Sequence, residues 1–154
     1  MTDAAIRPFA DIDGEAFAAL AAAARAEGHH FLDRMLADWH AGITRFDRPG
    51  EVVLAAWVGD TLAGLVARGR DPHSNDPTVG RLRHLYVRPE MRGKGIGPML
   101  ARAALAGAEE QFRLIRVRLG PDHAAAAAMY LALGFVPIAG DPFATHALAL
   151  RPGA

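Results

Sequence analysis

The sequence predicts a single α/β domain spanning residues 1–154, with a sheet of about seven strands and about four helices. Short apolar segments alternate with stretches in which apolar residues recur at helical spacing, and no linker or internal repeat interrupts them. A glycine-rich turn at residues 92–97 joins a strand-like segment to a helical one. A chain of 154 residues is long enough to bury a hydrophobic core. The predicted element order is β-α-α-β-β-β-α-β-α-β-β.

The first half of the chain is predicted to hold three strands and two helices. Asp13 is the expected N-cap of the first helix, and Gly28 closes it. Four-residue steps from Phe31 to Trp39 mark the second helix. The turn pair Gly59-Asp60 joins two strands as a hairpin. The predicted strands are 5–10, 51–58 and 61–68, and the predicted helices are 14–26 and 30–40.

The second half is predicted to hold four strands and two helices. A proline-containing polar loop, 71–78, precedes the fourth strand. Pro98 falls in the first turn of the third helix, where its missing N–H matters little. Gly134 closes the last helix. The predicted strands are 81–87, 114–119, 135–138 and 146–150, and the predicted helices are 97–112 and 122–133.

Composition narrows the classes of protein to which the chain can belong. The net charge is formally zero and the pI is about 7.1, which argues against a nucleic-acid or membrane-surface binder. There are no cysteines, so disulfides, thiolate metal sites and cysteine catalysis are excluded. The N-terminal segment has no apolar signal core, and no apolar run is long enough to span a bilayer. We therefore expect a cytoplasmic protein, with a homodimer among the assemblies it could form.

The most informative segment is the glycine-rich turn. Gly93, Gly95 and Gly97 leave the backbone bare just before a helix, so that N–H groups and the positive end of the helix dipole can meet an anion. Arg92 adds a charged fork that suits a phosphate. The spacing fits neither the Walker loop nor the dinucleotide-binding fingerprint. The turn therefore predicts a phosphate site, most simply for a diphosphate.

Two motifs resemble one enzyme family. The pattern Arg-x-x-Gly-x-Gly, which opens at Arg92 and follows the strand-like segment 85–87, resembles the acyl-CoA loop of the GNAT superfamily of N-acyltransferases. Downstream, residues 129–135 read Met-Tyr-Leu-Ala-Leu-Gly-Phe and resemble the family's Tyr-x-x-x-Gly-Phe ending. The close resemblance covers residues 82–135. It implies a mixed sheet that splays apart between the fourth and fifth strands.

The resemblance also implies a set of residues that bind acetyl-CoA. The pantetheine arm would lie in the splay against the backbone of the fourth strand, and the loop would hold the diphosphate. His123 stands where family members usually carry an asparagine that binds the pantetheine arm. The implied acetyl-CoA-binding residues are Leu85, Tyr86, Val87, Arg92, Gly93, Lys94, Gly95, Ile96, Gly97 and His123.

By the same resemblance, Tyr130 is the catalytic residue. A phenol with an ordinary pKa of about 10 can protonate a departing thiolate while remaining neutral at pH 7. Arg81 and Arg83 occupy the strand face that commonly looks toward the acceptor, where a glutamate often serves as the base. These two residues are the predicted substrate-binding pair. His84 should point to the opposite face by strand parity and pack beneath a helix.

The predicted function is an N-acetyltransferase that moves an acetyl group from acetyl-CoA to the primary amine of a small molecule, possibly one with a carboxylate. Without a cysteine, direct transfer is expected rather than a covalent acyl-enzyme. An alkyl amine with a pKa near 10.4 must first lose a proton, a handicap of about 4–5 kcal/mol at pH 7. No metal is expected. The alternatives are a non-catalytic acyl-CoA-binding domain, a protein N-terminal or lysine acetyltransferase, and a nucleotide-binding module.

Overall fold

The computed structural model describes residues 3–121 and 123–150. Its elements follow the predicted order. The strands are β1 (Ala4–Pro8), β2 (Val52–Val58), β3 (Thr61–Arg70), β4 (Val79–Val87), β5 (Leu114–Val117), β6 (Val136–Pro137) and β7 (His146–Ala149). The helices are α1 (Glu15–Ala26), α2 (Phe31–His40), α3 (Ile96–Leu105) and α4 (Ala124–Ala132), with single 3₁₀ turns at Pro89–Met91 and Ala108–Glu110.

The seven strands form one mixed sheet in the order β1-β2-β3-β4-β5-β7-β6. Neighbouring strands are antiparallel except for β4 and β5, which are parallel. That parallel pairing runs only from Val79 opposite Leu114 to Arg81 opposite Arg116. Beyond Arg81 the two strands separate, which confirms the predicted splay. A cleft therefore opens beside the second half of β4.

Two hydrophobic clusters fix the sheet between pairs of helices. One cluster joins α1 and α2 to the sheet through side chains such as Phe17 and Leu32. The other joins α3 and α4 to it through side chains such as Leu100 and Phe135. The alanine-rich faces of α1 and α3 allow close approach to the sheet, since Ala24 and Ala104 are fully buried. Each pair of helices is thus held against the sheet by its own hydrophobic cluster.

Two helix ends differ from the prediction. The third helix stops at Leu105 rather than at residue 112, because Gly107 adopts the left-handed conformation (φ +75°) and redirects the chain into a 3₁₀ turn. The N-cap of α1 is Gly14, without a side-chain cap, rather than Asp13. The Asp13 carboxylate lies 3.0 Å from His40 Nε2 and contributes to an exposed pair instead.

A bulge in β4 changes which way its side chains face. The pairing with β3 shifts between Leu65 opposite Tyr86 and Ala67 opposite Arg83. His84 lies in this shift with φ +61°, a conformation that non-glycine residues rarely adopt. Simple alternation is therefore broken at this point. The prediction that His84 faces away from Arg81 and Arg83 is wrong, although its ring does stack on Phe31 of α2.

The loop before β4 is held by Asp76. Its carboxylate accepts hydrogen bonds from the Thr78 hydroxyl (2.6 Å), the Thr78 N–H (2.9 Å) and Arg113 Nη2 (3.0 Å). The hydroxyl and N–H of Thr78, together with Arg113, lower the pKa of Asp76 to about 2. The loop is thereby tied to the start of β5, next to the segment that carries Arg81.

Because this pKa is depressed, we expect Asp76 to stabilise the fold above about pH 4 and to lose that contribution between about pH 4 and pH 2. Urea unfolding of wild type and Asp76→Asn should therefore show a difference in the free energy of unfolding at pH 6 that shrinks toward pH 2. Asp47→Asn, at an exposed aspartate, is the control and should show no such convergence. A difference that is constant with pH would contradict the role of the carboxylate charge.

Candidate active site

The glycine-rich loop has the geometry that an anion site requires. Gly93 and Gly95 adopt left-handed conformations (φ +76° and +80°), which favour glycine. Gly95 is the N-cap of α3, and a Cβ added at either position would meet nothing within 4 Å. The N–H groups at the start of a ten-residue helix are therefore approachable from solvent. The loop fits a phosphate group.

Arg92 is engaged by the protein itself. Its guanidinium donates to both carboxylate oxygens of Glu27, at 2.9 and 2.6 Å, and its Nε donates to the Val87 carbonyl at 3.0 Å. Tyr86 donates its hydroxyl to the same carboxylate at 2.5 Å. Burial and the Glu27 carboxylate raise the pKa of Tyr86 to about 12. Arg92 therefore ties the loop to the end of α1, so its guanidinium is already used by Glu27 and the Val87 carbonyl.

The loop opens onto a cavity of about 750 Å³, here named the loop cleft. Its walls are Leu85–Val87 of β4, the face of α4 that includes Met129, and five residues of the loop: Arg92, Gly93, Gly95, Ile96 and Gly97. The loop wall has little side-chain bulk because it contains Gly93, Gly95 and Gly97. The wall formed by α4 is similarly free of bulk where it presents two alanines. The loop cleft thus runs from the glycine-rich loop along the end of β4 to the face of α4.

A second cavity of about 480 Å³ lies farther back along the same strand, beside residues 81–85, and is here named the arginine cavity. Four arginines line it: Arg34 on α2, Arg81 and Arg83 on β4, and Arg118 just after β5. No aspartate or glutamate is among its described lining residues. The predicted pair Arg81 and Arg83 therefore shares one cavity.

The two cavities adjoin where β4 and β5 separate. Phe31, Leu85, His123 and Ala126 line both of them. His123 is the N-cap of α4, and its ring centre lies 6.4 Å from that of His29 across the entrance. A molecule in the loop cleft and a second molecule in the arginine cavity would therefore meet beside Leu85.

Tyr130 lies at the inner wall of the arginine cavity. It is 3% exposed, and its ring packs edge-on against Phe135 at 5.1 Å between ring centres. Burial raises the pKa of Tyr130 above its ordinary value, so the phenol is protonated at neutral pH. Within the described chain its hydroxyl has no hydrogen-bond partner. It can therefore donate its proton to a group in the cavity.

Arg81 and Arg83 have different surroundings. Arg81 Nη2 donates to the Phe143 carbonyl at 2.5 Å, and Nη1 lies 3.7 Å from the buried Asp71 carboxylate. Arg83 has neither a hydrogen bond nor an ion pair from its side chain within the described residues. Asp33 on the neighbouring helix α2 is bound by Arg25 at 2.7 Å and is not a partner of either arginine.

His84 is a poor proton acceptor in this setting. Burial, followed by the charge of Arg83, lowers the pKa of His84 to about 3. Its ring packs between Phe31 and Phe46, at 6.4 and 6.1 Å between ring centres. The imidazole is therefore neutral at physiological pH and contributes shape to the arginine cavity.

Three residues near the site were not found by sequence reasoning. Arg34 lies one helical turn after Phe31, and Arg118 lies two residues after Arg116, so periodicity on α2 and β5 could have suggested both. Glu27 gave no sequence signal, because its partner Arg92 is 65 residues away.

Among residues 3–121 and 123–150, no three histidines, aspartates or glutamates are placed to hold a metal ion. In the same ranges, no helix is both long and apolar enough to cross a bilayer.

The fold and site define a two-substrate transferase, with a phosphate loop at a helix start and two cavities that adjoin at a split sheet. The chain belongs to the acetyltransferase (GNAT) family, whose model matches residues 11–135. It is an acyl-CoA-dependent acetyltransferase. This match confirms the resemblance that the loop and the Tyr130 segment indicated.

Solved structures show the same fold over 95–98% of this chain. A candidate acetyltransferase from Exiguobacterium sp. 255-15 is 26% identical, with a TM-score of 0.81 over 96% of this chain and 94% of that one. The yncA protein of Salmonella typhimurium, solved with its cofactor acetyl-CoA, is 22% identical, with a TM-score of 0.72 over 98% and 96% of the chains. A ribosomal-protein-alanine N-acetyltransferase from Brucella melitensis is 22% identical, with a TM-score of 0.70 over 95% and 99%. A search of curated proteins found no match.

Proposed function

We propose that the protein transfers the acetyl group of acetyl-CoA directly to the primary amine of a small molecule that carries its own carboxylate. The observation that carries this proposal is the junction of the loop cleft and the arginine cavity at Leu85 and His123. Donor and acceptor can meet there without an enzyme-bound acyl group. The chain also has no cysteine to form a thioester.

The donor would occupy the loop cleft. The N–H groups of Gly93, Lys94, Gly95, Ile96 and Gly97 would hold its diphosphate at the start of α3. The backbone of Leu85–Val87, which has no strand partner on the β5 side, would bind the pantetheine arm by hydrogen bonds like those of an added strand. His123 can donate to or accept from the same arm, and acetyl-CoA supplies the activated acyl group.

Tyr130 would protonate the departing thiolate. Its phenol is kept protonated by burial and lies at the inner wall of the arginine cavity, one helical turn from Ala126, which lines both cavities. A backbone N–H on β4 beyond the bulge would polarise the thioester carbonyl. These two groups act at opposite ends of the breaking bond, which is the arrangement that direct transfer requires.

Arg81 and Arg83 would hold the acceptor. Their guanidinium groups line a cavity of about 480 Å³, which suits a small molecule rather than a protein segment. Guanidinium groups bind carboxylates through two parallel hydrogen bonds, and they repel a polycation. An amino acid or a related metabolite is therefore favoured over a polyamine or a lysine-rich peptide.

The test is release of free thiol from acetyl-CoA with a panel of acceptors that includes amino acids, spermidine, a lysine-rich peptide and a peptide with a free N-terminus. We expect turnover with small carboxylate-bearing amines, unchanged by EDTA. Binding of acetyl-CoA without turnover of any acceptor would indicate a non-catalytic domain. Preference for either peptide would indicate a protein acetyltransferase. A homodimer stays a prediction, which analytical ultracentrifugation would check.

A further inference from the structure

The arginine cavity holds more positive charge than one carboxylate can balance. Arg34, Arg83 and Arg118 come from three different elements, and in the described chain none of their side chains has a hydrogen bond or an ion pair. Arg34 and Arg118 are exposed at the rim, whereas Arg83 is half-buried on β4. Three guanidinium groups without a protein partner therefore surround one small volume.

Arg81 adds a buried donor at the inner end. Its side chain is 10% exposed, and Nη1 has no hydrogen-bond partner. The one carboxylate within ion-pair range of Arg81 in the described chain is Asp71, at 3.7 Å. Asp71 also lies 3.6 Å from Arg116, which in turn lies 3.4 Å from Asp141. Two acids thus offset Arg81 and Arg116, and in the described chain no carboxylate lies within ion-pair distance of the other three arginines. The charges of Asp38, Asp71 and Glu51 act on Arg83 at longer range.

A buried donor without a hydrogen bond is costly to a protein unless a ligand uses it. We propose that the acceptor is an amine with at least two negative charges, that is, an α-amino dicarboxylate or a phosphorylated amine. This inference rests on the proposed function and specifies its substrate class. One anionic group would reach the inner donors Arg81 and Arg83, and a second would lie between Arg34 and Arg118 at the rim.

The same charges help the chemistry. Nearby positive charge disfavours an ammonium ion and lowers the pKa of the bound amine, so that a larger fraction is the neutral nucleophile. No described carboxylate lines the cavity to hold the ammonium form. None of the titratable residues that line the cavity is a carboxylate, so none would reverse this effect. They are Arg34, His73, Arg81, Arg83, His84, Arg118, His123 and Tyr130. Only the arginine charge that the acceptor's own anionic groups leave unbalanced acts in this way.

The first experiment compares matched amines by kcat/KM with acetyl-CoA. The pairs are aspartate with asparagine, glutamate with glutamine, and O-phosphoserine with serine. We expect the dianionic member of at least one pair to be favoured at least tenfold, and the carboxylate and phosphate pairs to show which anion is used. Equal or better turnover of the neutral members would overturn the inference and leave acetyl transfer intact.

The second experiment tests the residues. Arg34→Gln and Arg118→Gln are chosen because both side chains are exposed, so folding should be retained. Each should reduce the ratio of kcat/KM between the dianionic and neutral amines at least fivefold. Arg102→Gln, at an exposed arginine on α3 that lines neither cavity, is the matched control and should leave the ratio unchanged. An unchanged ratio in both cavity variants would overturn the inference.

The third experiment separates this inference from the proposed function. Calorimetry with the N-acetylated dicarboxylates and with inorganic phosphate measures anion binding without turnover. If no amine is acetylated, the proposed function fails. Binding of these dianions that weakens in Arg34→Gln and Arg118→Gln would still support an anion site, whereas absence of dianion binding would overturn it.

Discussion

Gly95→Asp should abolish binding of acetyl-CoA. The substitution places a carboxylate at the N-cap of α3, where the phosphates are expected, and it blocks the approach to the N–H groups of the loop. We expect at least a 100-fold loss of affinity by calorimetry, which corresponds to about 2.8 kcal/mol. Gly95→Asn, which adds a similar volume without the charge, should lose less. The difference between the two variants measures the electrostatic part.

Backbone strain needs its own control, because Gly95 has φ +80° and an L-residue in this conformation costs about 1–2 kcal/mol. Gly107 is a matched site: it is exposed, it has φ +75°, and an added Cβ would also meet nothing within 4 Å. Gly107→Asp should lower the melting temperature much as Gly95→Asp does, while retaining affinity for acetyl-CoA. Wild-type affinity in Gly95→Asp would show that the phosphate loop is assigned wrongly.

Tyr130→Phe should lower kcat on the order of 100-fold with little change in the KM for acetyl-CoA, because a general acid acts mainly in the transition state. The substitution removes only the hydroxyl, so the ring keeps its packing against Phe135. Single-turnover kinetics would establish that the chemical step is the one slowed. An unchanged chemical step would remove Tyr130 from the mechanism.

Tyr86→Phe provides the contrast. Its hydroxyl donates to Glu27, so this variant should lose stability on the order of 1.5 kcal/mol, the usual worth of a hydrogen bond to a charged group. The backbone of β4 is unaltered, and kcat should change far less than in Tyr130→Phe. Two tyrosine variants that lose the same fraction of kcat would indicate a general structural effect instead of acid catalysis.

Short sequence motifs predicted the features of this protein that are set by residues close together in the chain. The glycine spacing before α3 and the Tyr130 segment each lie within a few residues, and both led to the correct family. The end of α3 was missed because an alanine-rich run favours helix, whereas Gly107 takes a left-handed conformation that only the folded chain selects. Propensity cannot decide between the two at a single glycine.

The parts that depend on distant contacts could not be predicted. The pairing of Arg92 with Glu27 joins two segments 65 residues apart, so the sequence alone suggested that Arg92 was available to a phosphate. The bulge at His84 depends on pairing with β3, and strand parity gave the wrong face. Arg34 and Arg118 meet Arg83 only through the packing of α2 and the splay of β5. The charge of the arginine cavity is therefore a property of tertiary structure.

The early end of the pairing between β4 and β5 has a consequence for stability. Beyond Arg81, the edge of β4 that faces β5 has no strand partner, so the middle of the sheet contains a seam where the backbone groups of β4 are not paired with β5. A donor bound along that edge would be linked to folding, and a saturating acyl-CoA at 100 times its Kd would add about 2.7 kcal/mol to the free energy of unfolding. That increment corresponds to a rise in melting temperature of roughly 5–11 °C for a chain of this size. Thermal shift across acyl-CoAs of increasing chain length would therefore rank donors before any acceptor is known, and slower hydrogen exchange in residues 82–87 would place the stabilised seam.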